Sequence, residues 1–152
     1  MPYMPKGEST VGIEFYKLLY ENDDFCKELG QAILAAGRLE AELINYINKQ
    51  NVEEKTKKAN LGKIIIIAKK HKLLEKMVPV LETIKDQRNY LTHNIYALFS
   101  GLVEETILPR SELLDSDVWS YTERAWELKE NLNGIADIIA EKNKSRQKME
   151  YT

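Results

Sequence analysis

Apolar residues recur at every third or fourth position along most of this chain, the spacing that builds one face of an α-helix. Val11 to Tyr20 predicts a short helix with Ile13, Phe15, Leu18 and Leu19 available to pack. Asn22, Asp23 and Asp24 then form a helix-start cluster, because short polar side chains accept the first free amide hydrogens. A long helix is expected from about Phe25 to Lys49, with Phe25, Leu29, Ile33, Ala36, Glu40, Leu43 and Ile47 along one face. Within it, Ala32, Ala35, Ala36 and Gly37 make a small-residue patch where another helix can approach closely, and Cys26 reads as a small core residue. Gln50 to Ala59 is polar and lysine-rich, a loop. Asn60 is placed to cap a third helix from Leu61 to about Leu74. Four β-branched residues, Ile64 to Ile67, favour a strand locally, yet Leu61, Ile64, Ile65 and Ala68 fit a helix face and no partner strand is evident, so a helix is expected. Pro79 suits the first turn of a fourth helix, whose face runs through Leu81, Ile84, Arg88, Leu91, Ile95, Leu98 and Leu102 until Pro109 ends the region. Asp115, Ser116 and Asp117 start a last helix that Val118, Thr122, Ala125, Lys129, Leu132, Ala136 and Ile139 carry to about Lys142. Trp119 and Trp126, seven apart, are expected in the core.

The elements sum to an all-α protein, a four-helix up-down bundle with short extra helices. Residues 1–10 read as a loose N-terminal arm, 11–142 as one domain and 143–152 as a charged tail. Composition agrees: of 152 residues, 43% are apolar and 30% charged, with only 7 Gly and 4 Pro, so disordered, collagen-like and turn-rich all-β classes drop out. The single cysteine excludes an internal disulfide and a cysteine-based zinc site, and a reducing cytoplasm is the expected setting. No signal peptide is read at the start. No apolar run approaches the about 20 residues of a membrane helix, so no membrane partner is expected.

Charge is unevenly spread. Lys49 to Arg88 carries eleven Lys and Arg against five Asp and Glu, a local +6, while the remainder carries a local −8. The middle of the chain can offer a basic surface to a phosphate-bearing partner. The plainer reading is a solvated helix face. His71, among Lys69, Lys70 and Lys72, belongs to that stretch.

The sequence lacks a glycine-rich phosphate loop, His-Glu-x-x-His and Glu-x-x-His, which leaves no metal site and no cofactor expected. One segment carries chemistry: Arg88, Asn89, Tyr90, Leu91, Thr92 and His93. Arg88 falls in the apolar register, a costly place for a permanent cation unless it is paired or reaches a cleft. Asn89 and His93, four apart, lie one above the other, so the amide can orient the imidazole. Arg88 and His93 diverge by about 140° around the helix and converge only on something held across a groove, such as one made by a second copy of the helix about a two-fold axis. Such a set suits cleavage of RNA without metal: RNA carries its own nucleophile, the 2′-hydroxyl, an imidazole moves its proton near neutral pH, and a guanidinium holds the phosphate. The plainer reading puts Arg88 in a structural ion pair with Asp86, Glu40 or another acid, and His93 in a framework bond with Asn89.

The pattern Arg88-Asn89-x-x-x-His93, late in a helical bundle of this length, resembles the signature of the HEPN superfamily, and the resemblance covers about residues 11–142. It implies a homodimer with a composite endoribonuclease site, in which Arg88 and His93 are catalytic and Asn89 orients His93. Some members add an acid from an earlier helix, for which Glu40 and Glu42 are the candidates here. In some HEPN toxins a partner nucleotidyltransferase modifies a tyrosine two residues after the histidine. That position is Ile95 here, and Tyr96 follows it. Tyr90, Tyr96 and Phe99 can stack bases, although core or dimer contacts are the plainer use of aromatics at this spacing. The resemblance implies an RNA partner, an antitoxin or other protein partner, and a setting in toxin–antitoxin pairs or anti-phage defence. The alternative is a non-catalytic helical module of the same fold that binds RNA, a nucleotide or a protein.

Overall fold

A computed structural model describes residues 3–10, 13–49, 60–70, 75–92 and 113–150. In chain order these form β1 (Ser9–Thr10), α1 (Ile13–Glu21), α2 (Asp23–Lys49), α3 (Leu61–Lys70), a 3-10 turn (Glu75–Met77), α4 (Val78–Thr92), β2 (Leu113–Leu114) and α5 (Asp117–Glu150). Helix dominates the described residues, as the spacing of apolar positions predicts. The helix starts follow from local chemistry. Asn22 Oδ1 accepts the Phe25 amide at 2.8 Å, and Asn60 Oδ1 accepts that of Lys63 at 3.0 Å. Each asparagine thus satisfies a first-turn N–H that has no partner within its helix. The Ile64–Ile67 run is helical, with Ile64, Ile65 and Ile67 buried and Ile66 exposed.

The chain falls into two compact units, residues 1–32 with 87–129 and residues 33–86 with 130–152. In the first, Phe15 of α1 and Phe25 of α2 meet Tyr121 of α5 edge-on, with ring centroids 5.2 and 6.5 Å apart. Leu19, Val118, Ala125 and Leu128 are buried as well. Ser9 pairs with Leu114, and Thr10 with Leu113, in a short antiparallel ladder. The Asp115 carboxylate reinforces it by accepting the amides of Lys6, Gly7 and Glu8 at 2.7, 2.9 and 3.1 Å. Gly7 has φ +79°, a left-handed backbone that turns successive N–H groups toward one anion. Tyr3 adds its hydroxyl to the Asp115 carbonyl at 2.8 Å and sets its ring edge-on to Trp119. The expected loose arm is therefore corrected: residues 3–10 are fastened across more than 100 positions of sequence, a contact with no local signature.

In the second unit, α2 buries Ala35, Ala36, Leu39, Leu43 and Ile47, α3 buries Leu61, Ile64, Ile65, Ile67 and Ala68, and α5 buries Leu132, Ala136 and Ile139. Arg38 binds Asp137 at 2.7 Å, Asn143 Nδ2 donates to Glu42 Oε2 at 2.9 Å, and Lys49 Nζ donates to the Asn143 carbonyl at 3.0 Å. Asn143 is buried, and α5 continues through Glu150 instead of ending near Lys142.

Within each unit the partners advance together along α2 and α5: Phe25 with Tyr121 and Gln31 with Lys129 in the first, Arg38 with Asp137 and Glu42 with Asn143 in the second. The two helices run parallel, whereas an up-down order of the four long segments sets the first and last antiparallel. The ladder explains the difference, because β1 and β2 bring the start of α5 beside the chain that enters α1 and α2.

Three side chains expected inside are outside. Trp119 is 55% exposed, Trp126 48% and Cys26 is exposed. The buried stripe of α5 runs Val118, Tyr121, Ala125, Leu128, Leu132, and each tryptophan sits one position beyond it, about 100° around the helix. Likewise α2 buries Ala32 and Ala35 and leaves Ile33 exposed. No helix among the described residues is long and apolar enough to cross a membrane.

Candidate functional site

Val78 opens α4, and Pro79 follows in its first turn, where the missing N–H costs no helical bond. The Thr83 hydroxyl donates back to the Pro79 carbonyl at 3.0 Å. Leu81 and Ile84 are buried at 1% and 2% exposure. Arg88 follows Ile84 by four positions and therefore lies on the same helix face. Arg88 is half-buried and held by an interaction, so its cation is not left unanswered at this apolar position. Asn89 is half-buried beside it, and helical backbone continues through Thr92. Arg88 and Asn89 are thus consecutive in the first compact unit.

His93 and Tyr96 lie outside the described residues, as do His71, Ile95 and Phe99. Glu40 is in the second unit, where its Oε1 accepts the Leu61 amide at 3.1 Å and closes the N-terminus of α3. A carboxylate there also meets the positive end of the helix dipole. Glu42 is committed to Asn143. The structure assigns both acids to contacts that hold helices together.

Sequence reasoning passed over Gln87. Its Oε1 is buried and has no hydrogen-bond partner among the described residues, one position before Arg88. No sequence signal marks it, since a glutamine at an intermediate helix position is ordinary. Among the described residues no three His, Cys, Asp or Glu side chains gather as metal ligands. Chemically, the described part of the site offers the Arg88 guanidinium and the Asn89 side-chain amide, groups whose N–H donors suit phosphate and other oxyanions.

Comparison with protein-family models, with curated proteins and with solved structures finds no match to this chain.

Proposed function

We propose that the chain is an endoribonuclease of HEPN type that works without a metal, with a composite site where two copies meet. The observation that carries this reading is the consecutive, half-buried Arg88 and Asn89 on a helix that reaches Thr92, the residue before His93. The guanidinium holds the scissile phosphate and offsets charge gathering on its oxygens. One imidazole takes the proton of the 2′-hydroxyl as the 2′-oxygen bonds to phosphorus. The partner copy's imidazole gives a proton to the 5′-oxygen as its bond to phosphorus breaks. The products are a 2′,3′-cyclic phosphate and a 5′-hydroxyl end. Asn89 orients His93, Tyr96 supports base contacts, and the setting is a toxin–antitoxin pair or anti-phage defence in the cytoplasm.

The test is incubation of purified protein with total cellular RNA, with and without EDTA. Wild type is expected to cleave in both conditions, leaving 5′-hydroxyl ends, and His93→Ala to be inactive with its fold and dimer intact. Cleavage that persists in the Arg88→Ala, His93→Ala double variant refutes the reading. The engagement of Arg88 favours a second reading, a non-catalytic module of the same fold. Its mark is RNA or partner binding without cleavage by wild type.

A further inference from the structure

The apolar half of α3 is committed to the interior: Leu61, Ile64, Ile65, Ile67 and Ala68 are each at most 3% exposed. That burial turns Lys63, Ile66, Lys69 and Lys70 outward. Lys63, Ile66 and Lys70 follow at spacings of three and four, so they form one stripe. The helix carries three lysines and no acid. Surfaces that serve only solubility mix both signs, whereas this stripe sets Ile66, 56% exposed, between two lysines with no acid on the helix. Lys69 bonds Glu82 of α4 at 2.8 Å, with both side chains about half exposed. The hydrogen bond and charge of Lys69, and then the charge of Lys85, hold the Glu82 carboxyl below its usual range. One acid therefore faces two lysines, and an exposed pair of this kind holds Lys69 by only about 0–1 kcal/mol.

We infer that the outer face of α3 docks the phosphodiester backbone of a nucleic acid, with Lys63, Lys69 and Lys70 on phosphates and Ile66 against the sugars between them. The choice of RNA as the natural occupant rests on the nuclease reading above; the phosphate chemistry does not. A lipid surface fits less well. A helix that lies in a bilayer boundary sinks a broad apolar face into it, and the apolar face of α3 is already buried while Ile66 stands alone.

The test uses the full chain carrying His93→Ala, so that RNA stays intact. Binding to labelled single-stranded RNA, to DNA of the same sequence and to anionic lipid vesicles is followed across a salt series. Both nucleic acids are expected to bind and the vesicles not. Lys63→Glu with Lys70→Glu is expected to weaken nucleic-acid binding about tenfold or more at low salt. Lys63→Gln with Lys70→Gln, the milder pair, is expected to lower the slope of log affinity against log salt by about 1.4, at about 0.7 per phosphate contact on a single strand. Far-UV circular dichroism confirms that each variant is folded. Nucleic-acid affinity unchanged in both pairs, or binding to vesicles alone, overturns the proposal. Lysine-dependent binding by a wild type that cleaves no RNA supports the docking face and removes the nuclease reading. Cleavage by wild type with lysine-independent binding does the reverse.

Discussion

Replacing Asp115 by alanine tests the fastening of the N-terminal arm. The carboxylate accepts three backbone amides at 2.7, 2.9 and 3.1 Å, while the main chain of Asp115 keeps two further bonds, to Glu8 and Tyr3. Hydrogen bonds to a charged group contribute about 1.5–3 kcal/mol each when the orphaned partner stays dry. Here the donors belong to the exposed residues Lys6, Gly7 and Glu8, which water reaches once the carboxylate is gone. Each loss therefore falls to the ordinary net value of about 1 kcal/mol, and the set loses about 2–4 kcal/mol. Expressed as local opening, that is about a 30- to 900-fold faster amide exchange at Lys6, Gly7 and Glu8, at 1.36 kcal/mol per factor of ten. Hydrogen–deuterium exchange of those amides reads it directly. Asp115→Asn sharpens the test: its oxygen can serve Gly7 and Glu8, but its NH₂ then faces the Lys6 N–H, donor against donor. Exchange should rise most at Lys6 in that variant. Rates at all three amides within about threefold of wild type in Asp115→Ala would refute the clamp.

Four further outcomes are expected. Tyr3 titrates above its ordinary value of about 10 because burial, and then the Asp115 charge, disfavour its phenolate. Its contribution to arm closure is therefore complete below pH 10 and lost as pH rises through the raised value, and Tyr3→Phe should abolish that alkaline loosening in exchange measured against pH. The Glu28–Lys129 ion pair joins α2 to α5 with side chains only 17% and 15% exposed. Lys129→Ala should cost about 2–4 kcal/mol in chemical denaturation, somewhat under a fully buried pair, and Lys129→Ala with Glu28→Gln should recover part of it. Glu40→Ala should destabilise by about 1 kcal/mol and raise amide exchange at Leu61, whereas Glu40→Gln, which keeps an acceptor oxygen, should lose about half of that. Tyr121→Ala should cost about 3–5 kcal/mol and exceed Trp126→Ala in denaturant titrations, and the reverse order would refute the register assigned to α5.

What was legible in the sequence is what local chemistry dictates. Asn22 and Asn60 announce helix starts because a cap acts over three residues, and Ile64–Ile67 resolves as helix because Leu61 and Ala68 extend its face. What escaped depends on distant partners or on a single step of register. Trp119 and Trp126 look like core by size, but the stripe through Val118, Tyr121 and Ala125 excludes them. Asp115 reads as a helix cap, yet its carboxylate reaches back to Lys6–Glu8, and it is Asp117 Oδ2 that accepts the nearby Leu114 amide. For the candidate site, the helix under Arg88 and Asn89 was legible from the apolar face, while the capping duty of Glu40 was not, since Leu61 lies 21 residues on.

The parallel course of α2 and α5 sets the timetable of folding. The hydrogen bonds described between them span 94 to 101 residues of sequence. A helical protein usually folds fast because its contacts are local, and this one carries an unusually non-local seam. On a ribosome adding about 5–20 residues per second, α2 waits about 5–20 s for its mate. During that interval Ala35, Leu39, Leu43 and Ile47 have no α5 to cover them, so this apolar stripe is completed only when the last third of the chain has been made.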